Sequence, residues 1–283
     1  MKGLFASCLL VSLFSAILPA QEIAIVSSCI LPPYQKAIEG LQEELEALEY
    51  SVHSLGSEKE NRRLRQHLRT TNISCFITVG GAATKFVLSI RQAQLVISCL
   101  TIYEPKEDEK KTIVVPYLPP SQAVTKSYRQ FYPKKKERIG TLWCNKALAS
   151  IVKSYERTFA KGSCSLKACR VNSPREIPRG LKDLTGEIDA FFLLPDPVLL
   201  HKETLRHLLL TLLQKSIPVI AFSPSLVKAG ALFSLSYCPK GIGKKAGIIA
   251  RRELLGEDTP LPKVELIFKC NSRVAKFLGV SHP

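Results

Sequence analysis

Eight stretches of the chain are predominantly apolar runs of strand length: residues 22–29, 73–79, 94–100, 138–144, 164–171, 188–194, 217–222 and 232–237. Runs of this kind, without strict alternation, are what strands buried on both faces require. Between most of them the period changes to three and four. Pro33 can open a helix in which Tyr34, Ala37, Ile38, Leu41, Leu45 and Leu48 share one face, and a Pro near a helix start costs nothing because its missing N–H has no partner there anyway. Similar patterns cover residues 147–159, 198–214 and 242–255. Strands alternating with helices over this length predict the α/β class with parallel sheets.

The alternation breaks once. From residue 103 to residue 136 it dissolves into charge and proline, including "EPKEDEKK" and "YLPPSQ", and it restarts with a new strand at Arg138. That is the composition of a connection between two lobes. Two lobes of parallel sheet leave a cleft, and ligands of such sheets bind beyond the carboxyl ends of the strands.

Those ends carry the candidate chemistry. The run "FFLLPDPVLL" leaves a core and presents Asp196 between Pro195 and Pro197. "SSCILPPY" ends the first strand at Ser28, and "TVGGAAT" ends another at Gly80, Gly81 and Ala82. There, missing side chains let backbone N–H groups at a helix N-terminus approach a ligand. "IAFSPS" ends at Ser223, and "SLSYCP" at Tyr237. Each end read singly is an ordinary strand-to-helix turn, with Ser as N-cap and Pro at the first helical position. Five such ends facing one cleft point to a ligand site.

Composition narrows the class. The chain has 283 residues, 46% of them apolar, and a formal charge of +16. The basic residues are scattered, and the dense run Lys134-Lys135-Lys136 reads as a solvated loop. No helix-turn-helix, zinc-finger or aromatic-basic pattern accompanies it, so nucleic acid is not an expected partner. Met1-Lys2, an apolar stretch from Leu4 to Leu18 and then Pro19-Ala20-Gln21 have the pattern of a secretory signal cut after Ala20; an uncleaved anchor is the alternative. Of nine cysteines, eight follow that segment. None has C-x-x-C spacing, the histidines have no metal-ligand spacing, and no metal or other cofactor is expected. Most cysteines sit in strand-like runs as small buried residues. Cys164 and Cys169 are the pair best placed for a bridge. The chain lacks a G-x-S-x-G elbow, a P-loop, H-E-x-x-H and a G-x-G-x-x-G after the first strand, which argues against an enzyme.

The stretch "IDAFFLLPDPVLL", continued by "SIPVIAFSPSLVKAGALFSLSYCPKGIGKKAGIIARRELLGE" and "KCNSRVAKFLGV", resembles the C-terminal half of tryptophan/tyrosine-type substrate-binding proteins of ABC transporters. "IAIVSS", "YQKAIEGLQEELEALEY" and "FITVGGAATKFV" are similar to that family's first strand-helix unit and small-residue turn. The chain departs from the pattern at Cys238, where the family often has an acid, and at Glu104-Pro105, where it often has Asp-Pro. The resemblance implies the type I periplasmic-binding-protein fold: two Rossmann-like lobes joined by a hinge. Residues 21–118 would form the N-terminal lobe, with 239–258 returning to it; residues 119–238 would form the C-terminal lobe, with 259–283 near the hinge or on that lobe. It also implies a monomeric periplasmic protein that grips a small organic ligand, such as an aromatic amino acid or related carboxylate, with Ser28, Gly80, Gly81, Ala82, Asp196, Ser223 and Tyr237. Delivery to an ABC transporter permease is the expected role. Extracellular sensing with a separate membrane receptor is the alternative.

Overall fold

The computed structural model describes residues 22–90, 95–106, 109, 111–133, 137–161 and 164–281. The signal-like segment 1–20 and the Lys134–Lys136 run lie outside them.

The first lobe is β1 (Glu22–Ser27), α1 (Pro32–Leu45), β2 (Tyr50–Ser54), α2 (Glu58–Thr70), β3 (Ile73–Val79), α3 (Gly81–Leu88), β4 (Leu95–Cys99) and β5 (Thr112–Val114). Its sheet runs β2-β1-β3-β4-β5, every pair parallel. The second lobe begins with α4 (Ser121–Arg129), β6 (Glu137–Trp143), α5 (Ala149–Ala160), β7 (Cys164–Arg170) and α6 (Ile177–Thr185). It continues through β8 (Ala190–Leu193), α7 (Lys202–Gln214), β9 (Val219–Ala221), α8 (Pro224–Ala229) and β10 (Phe233–Tyr237). After α9 (Pro239–Leu255) the chain adds β11 (Leu266–Cys270) and α10 (Ser272–Phe277), giving a six-stranded sheet β11-β10-β9-β8-β6-β7. Here β11 pairs antiparallel to β10, so this sheet is mixed rather than purely parallel.

Each of the eight expected runs coincides with a strand. In β8 the physical reason is visible: Phe192 packs in a cluster with Phe131, Tyr155 and Phe233, while Phe191 and Leu193 point the other way, onto Leu142, Leu208 and Leu212. Successive side chains alternate faces, so a strand covered on both sides must be apolar throughout. The three strands that the pattern does not announce, β2, β5 and β11, are edge strands with mostly half-buried residues.

The long connection is shorter than its composition suggests. β5 completes the first sheet and α4 packs into the second lobe's core through Val124 and Tyr128, leaving residues 115–120 to cross. The chain recrosses between Tyr237 and Pro239, and again after α9.

Helix α9 packs on α1, β3 and β4 of the first lobe, with Ile242, Ala246 and Ala250 in one core with Ile25, Leu41 and Ile97. Three glycines make that seam. A Cβ on Gly40 would lie 2.1 Å from the Lys240 carbonyl oxygen, and one on Gly243 would lie 1.9 Å from that of Ala37. Backbone therefore rests on backbone, with Gly247 against Glu44 farther along. At the rim Glu43 accepts from Lys240 Nζ at 2.5 Å and Lys244 Nζ at 2.7 Å, which holds its carboxyl below the usual range.

All eight described cysteines are free thiols, which corrects the candidate bridge. Cys164 and Cys169 lie five positions apart on β7, on opposite faces and roughly 16 Å apart at the strand's rise, beyond the reach of a disulfide. No helix among the described residues is long and apolar enough to cross a membrane.

Candidate ligand-binding site

Asp196 does not face the cleft. Its side chain is 0% exposed. Oδ2 accepts the N–H groups of Cys144 at 2.6 Å and Asn145 at 2.7 Å, at the end of β6, and Oδ1 accepts that of Val198 at 2.9 Å. The carboxylate clamps the end of β8 to the turn that follows β6. Pro197 to Leu200 form a turn closed by the Leu200 N–H on the Asp196 carbonyl, so α7 begins at Lys202 and not at Val198. Fully buried and bonded to three backbone donors, this carboxylate presents no exposed oxygen to a ligand; as a contact residue it is a correction.

The first-lobe strand ends do come together. Ser28 follows β1, and its Oγ accepts the Ala83 N–H at 2.9 Å. Gly80 caps α3 at φ +91°, where a side chain is strained, and a Cβ there would meet Ser28 Oγ at 2.7 Å and the Tyr34 hydroxyl at 2.9 Å. An α-helix leaves its first N–H groups without intrahelical partners. In α3, Ser28 takes that of Ala83 and the Gly80 carbonyl takes that of Thr84, which leaves those of Gly81 and the exposed Ala82.

Thr101, just past β4, stands beside them. Its Oγ1 would lie 3.2 Å from a Cβ on Gly81, and it is 6% exposed with no hydrogen-bond partner. A buried hydroxyl without a partner costs stability. In a cleft it is a donor and acceptor held ready for something that arrives.

The two lobes meet through aromatic rings. Tyr117, on the crossover, stands edge-on to Phe222 at the end of β9, with ring centroids 6.3 Å apart. Burial pushes its phenol well above the usual value, and Tyr34 from the first lobe and Tyr155 from the second add to the shift. Tyr34 is raised likewise by burial, then by Cys29 and Cys99. The Tyr155 hydroxyl donates to the Pro119 carbonyl. Ser223 and Tyr237 are half-buried at the ends of β9 and β10; the Ser223 hydroxyl bonds Ser225 at 2.9 Å, and it makes no side-chain cap for α8.

Beside Tyr117 a cavity of about 440 Å³ opens between the lobes, reached by Thr101, Tyr103 and Tyr117 from one side and by Ser121, Ser154 and Tyr155 from the other. That size suits a small organic molecule. Among the described residues no group of three His, Cys, Asp or Glu side chains could hold a metal ion.

No protein-family model matches the chain, and a search of curated proteins finds no match. Solved structures do match along almost its whole length. A domain from Streptococcus pneumoniae in complex with L-Trp is similar at TM-score 0.65 and 16% identity, covering 93% of this chain and 96% of that one. The ligand-free, open form of a substrate-binding protein from Clostridium difficile is similar at 0.68 and 16%, over the same shares. An arabinose-binding protein from Geobacillus stearothermophilus follows at 0.57 and 9%, over 92% and 99%.

The chain has the type I periplasmic-binding-protein fold.

Within that fold the sequence pattern places Ser28, Gly80 and Gly81 in one cluster, and misses Tyr34, Thr101, Tyr117, Tyr155 and Phe222. The signal for Tyr117 was present in "YLPPSQ", where an aromatic between prolines sits in an otherwise polar crossover. Tyr34 reads as one more apolar position of a helix face until Gly80 brings its hydroxyl to the strand ends.

Proposed function

We propose that this protein is an exported solute-binding protein that captures a small organic ligand between its lobes and delivers it to an ABC transporter permease. The observation that carries this reading is the polar triad of Ser28, Thr101 and the free N–H groups of α3, set beside an aromatic cavity that both lobes line. A ligand seated there touches both lobes, so its binding free energy goes into closure about the crossover segments. Solved structures of similar fold were determined with L-Trp or with D-arabinose, which supports binding of a small molecule without naming this one. Ser28, Gly80, Gly81 and Ala82 are the proposed first-lobe contacts, joined by Thr101; Tyr117 at the hinge and Ser223 and Tyr237 from the second lobe complete the set. Export rests on the signal-like start and predicts a mature protein beginning near Gln21.

The test is closure. Mass spectrometry of the native purified protein identifies the bound molecule; after its removal and return, small-angle scattering should give a smaller radius of gyration with ligand than without. An unchanged radius at saturation rules out a clamping binder.

A further inference from the structure

The charge of the site is unusual for an amino-acid binder, and it narrows the ligand. An α-ammonium buried in a cleft is best met by a carboxylate, because a buried charge without a counter-charge is costly. None of the described residues lining the interlobe cavity is charged. The acid that ends β8, Asp196, spends its oxygens on three backbone N–H groups. Glu109 accepts from the hydroxyl of the lining residue Tyr103 and from the Lys106 N–H.

What the site offers is the opposite polarity. The unclaimed N–H groups of Gly81 and Ala82 sit at the positive end of α3, and the unpartnered Thr101 hydroxyl, nine-tenths buried, lies against Gly81 and lines the cavity. The N–H groups call for an oxygen acceptor on the ligand, and the Thr101 hydroxyl can donate to the same atom. The remaining walls are mostly apolar, with Tyr103, Tyr117, Tyr155 and three prolines among them, and the uncharged polar side chains of Ser121, Gln122, Ser154 and Thr158 complete the lining. Tyrosine faces can attract a cation, but the helix terminus and the chain's formal charge of +16 act against one.

We propose that the cleft takes a ring compound that bears an oxygen acceptor and no cationic group, the acceptor being received by Thr101 and the start of α3. This rests on the solute-binding reading. It separates a desamino ring acid or neutral ring amide from an amino acid.

The experiment is a titration of the ligand-stripped protein by calorimetry with three compounds that share one ring: indole-3-propionate, L-tryptophan and tryptamine. Indole-3-propionate should bind at least as tightly as L-tryptophan, and tryptamine at least about tenfold more weakly, the scale of one buried charged group left unpaired. Thr101→Val should weaken indole-3-propionate by about tenfold while leaving the melting temperature of the free protein unchanged or raised, because the lost hydroxyl has no partner in the protein. L-tryptophan binding tenfold more tightly than indole-3-propionate, tryptamine binding as well as indole-3-propionate, or Thr101→Val binding like wild type would each overturn the inference and leave the solute-binding reading standing. Binding by none of the three also overturns it; the solute-binding reading is then decided by the scattering measurement with the co-purified molecule.

Discussion

Replacing Asp196 distinguishes a clamp within the second lobe from a ligand contact. Asp196→Ala strips three backbone N–H groups of a charged acceptor at distances of 2.6, 2.7 and 2.9 Å. A hydrogen bond to a charged group is worth roughly 1.5–3 kcal/mol, and an orphaned buried donor costs about as much. Cys144 and Asn145 are half-buried, so water recovers part of the loss. About 3 kcal/mol is then the expected cost, and at roughly 2–4 °C per kcal/mol for a protein of this size the melting temperature should fall by about 6–12 °C. Asp196→Asn keeps one oxygen for Cys144 and Asn145 and turns its amide toward the Val198 N–H, so it should lose about a third as much. Circular dichroism melts give the stabilities, and titration with the co-purified ligand well below the melting temperature gives the affinities. Both variants should bind within about threefold of wild type. A loss of tenfold or more in the Asn variant, with its melt unmoved, would refute the clamp and return Asp196 to the cleft.

Gly243→Ala should destabilise by more than the 1–3 kcal/mol typical of overpacking, because its Cβ meets the Ala37 carbonyl, which cannot rotate away; a melt within about 2 °C of wild type would show that α9 is free to shift. Burial first, then His67, lowers the pKa of His53 from its ordinary 6.5. For a base lowered on folding, stability is present above 6.5 and lost as pH falls below it; a small drop in melting temperature between about pH 7 and pH 5 should therefore flatten in His53→Gln. Burial pushes the Cys75 and Cys99 thiols up to about 12, so iodoacetamide at about pH 8 should spare both in the folded protein while it modifies half-buried cysteines such as Cys29 and Cys238; mass spectrometry showing Cys75 alkylated before unfolding contradicts this.

The buried half of the fold was written in apolar runs, and the edge half was not. β2 reads "YSVHS" and β5 is three residues long; a strand covered on one side needs no continuous run, so neither stands out from its surroundings. The helix α2 was not among the helical patterns read from the sequence, although Ser57 and Glu60 form the reciprocal cap that an S-x-x-E spacing announces. The position of the site at strand ends followed from the topology, but the direction of a side chain did not. An acid between two prolines has the same sequence whether it meets a ligand or three backbone N–H groups. Only the register between β6 and β8 decides which. Thr101 illustrates the converse: a lone threonine after a strand carries no signal until its hydroxyl is found buried and unmatched.

The seam between α1 and α9 sets the order in which the molecule can be built. Residues 32–45 find their partner some two hundred positions later, with the entire second sheet except β11 encoded between them. Contacts this distant in sequence are slow to form. During synthesis one face of the first sheet is covered by α1 alone until residue 255 has emerged, while the strands from β6 to β10 can already pair with one another. The delay leaves the core of Ile25, Ile77 and Ile97 only partly covered in the interim, so a truncation before α9 should yield a sticky intermediate rather than a smaller soluble lobe.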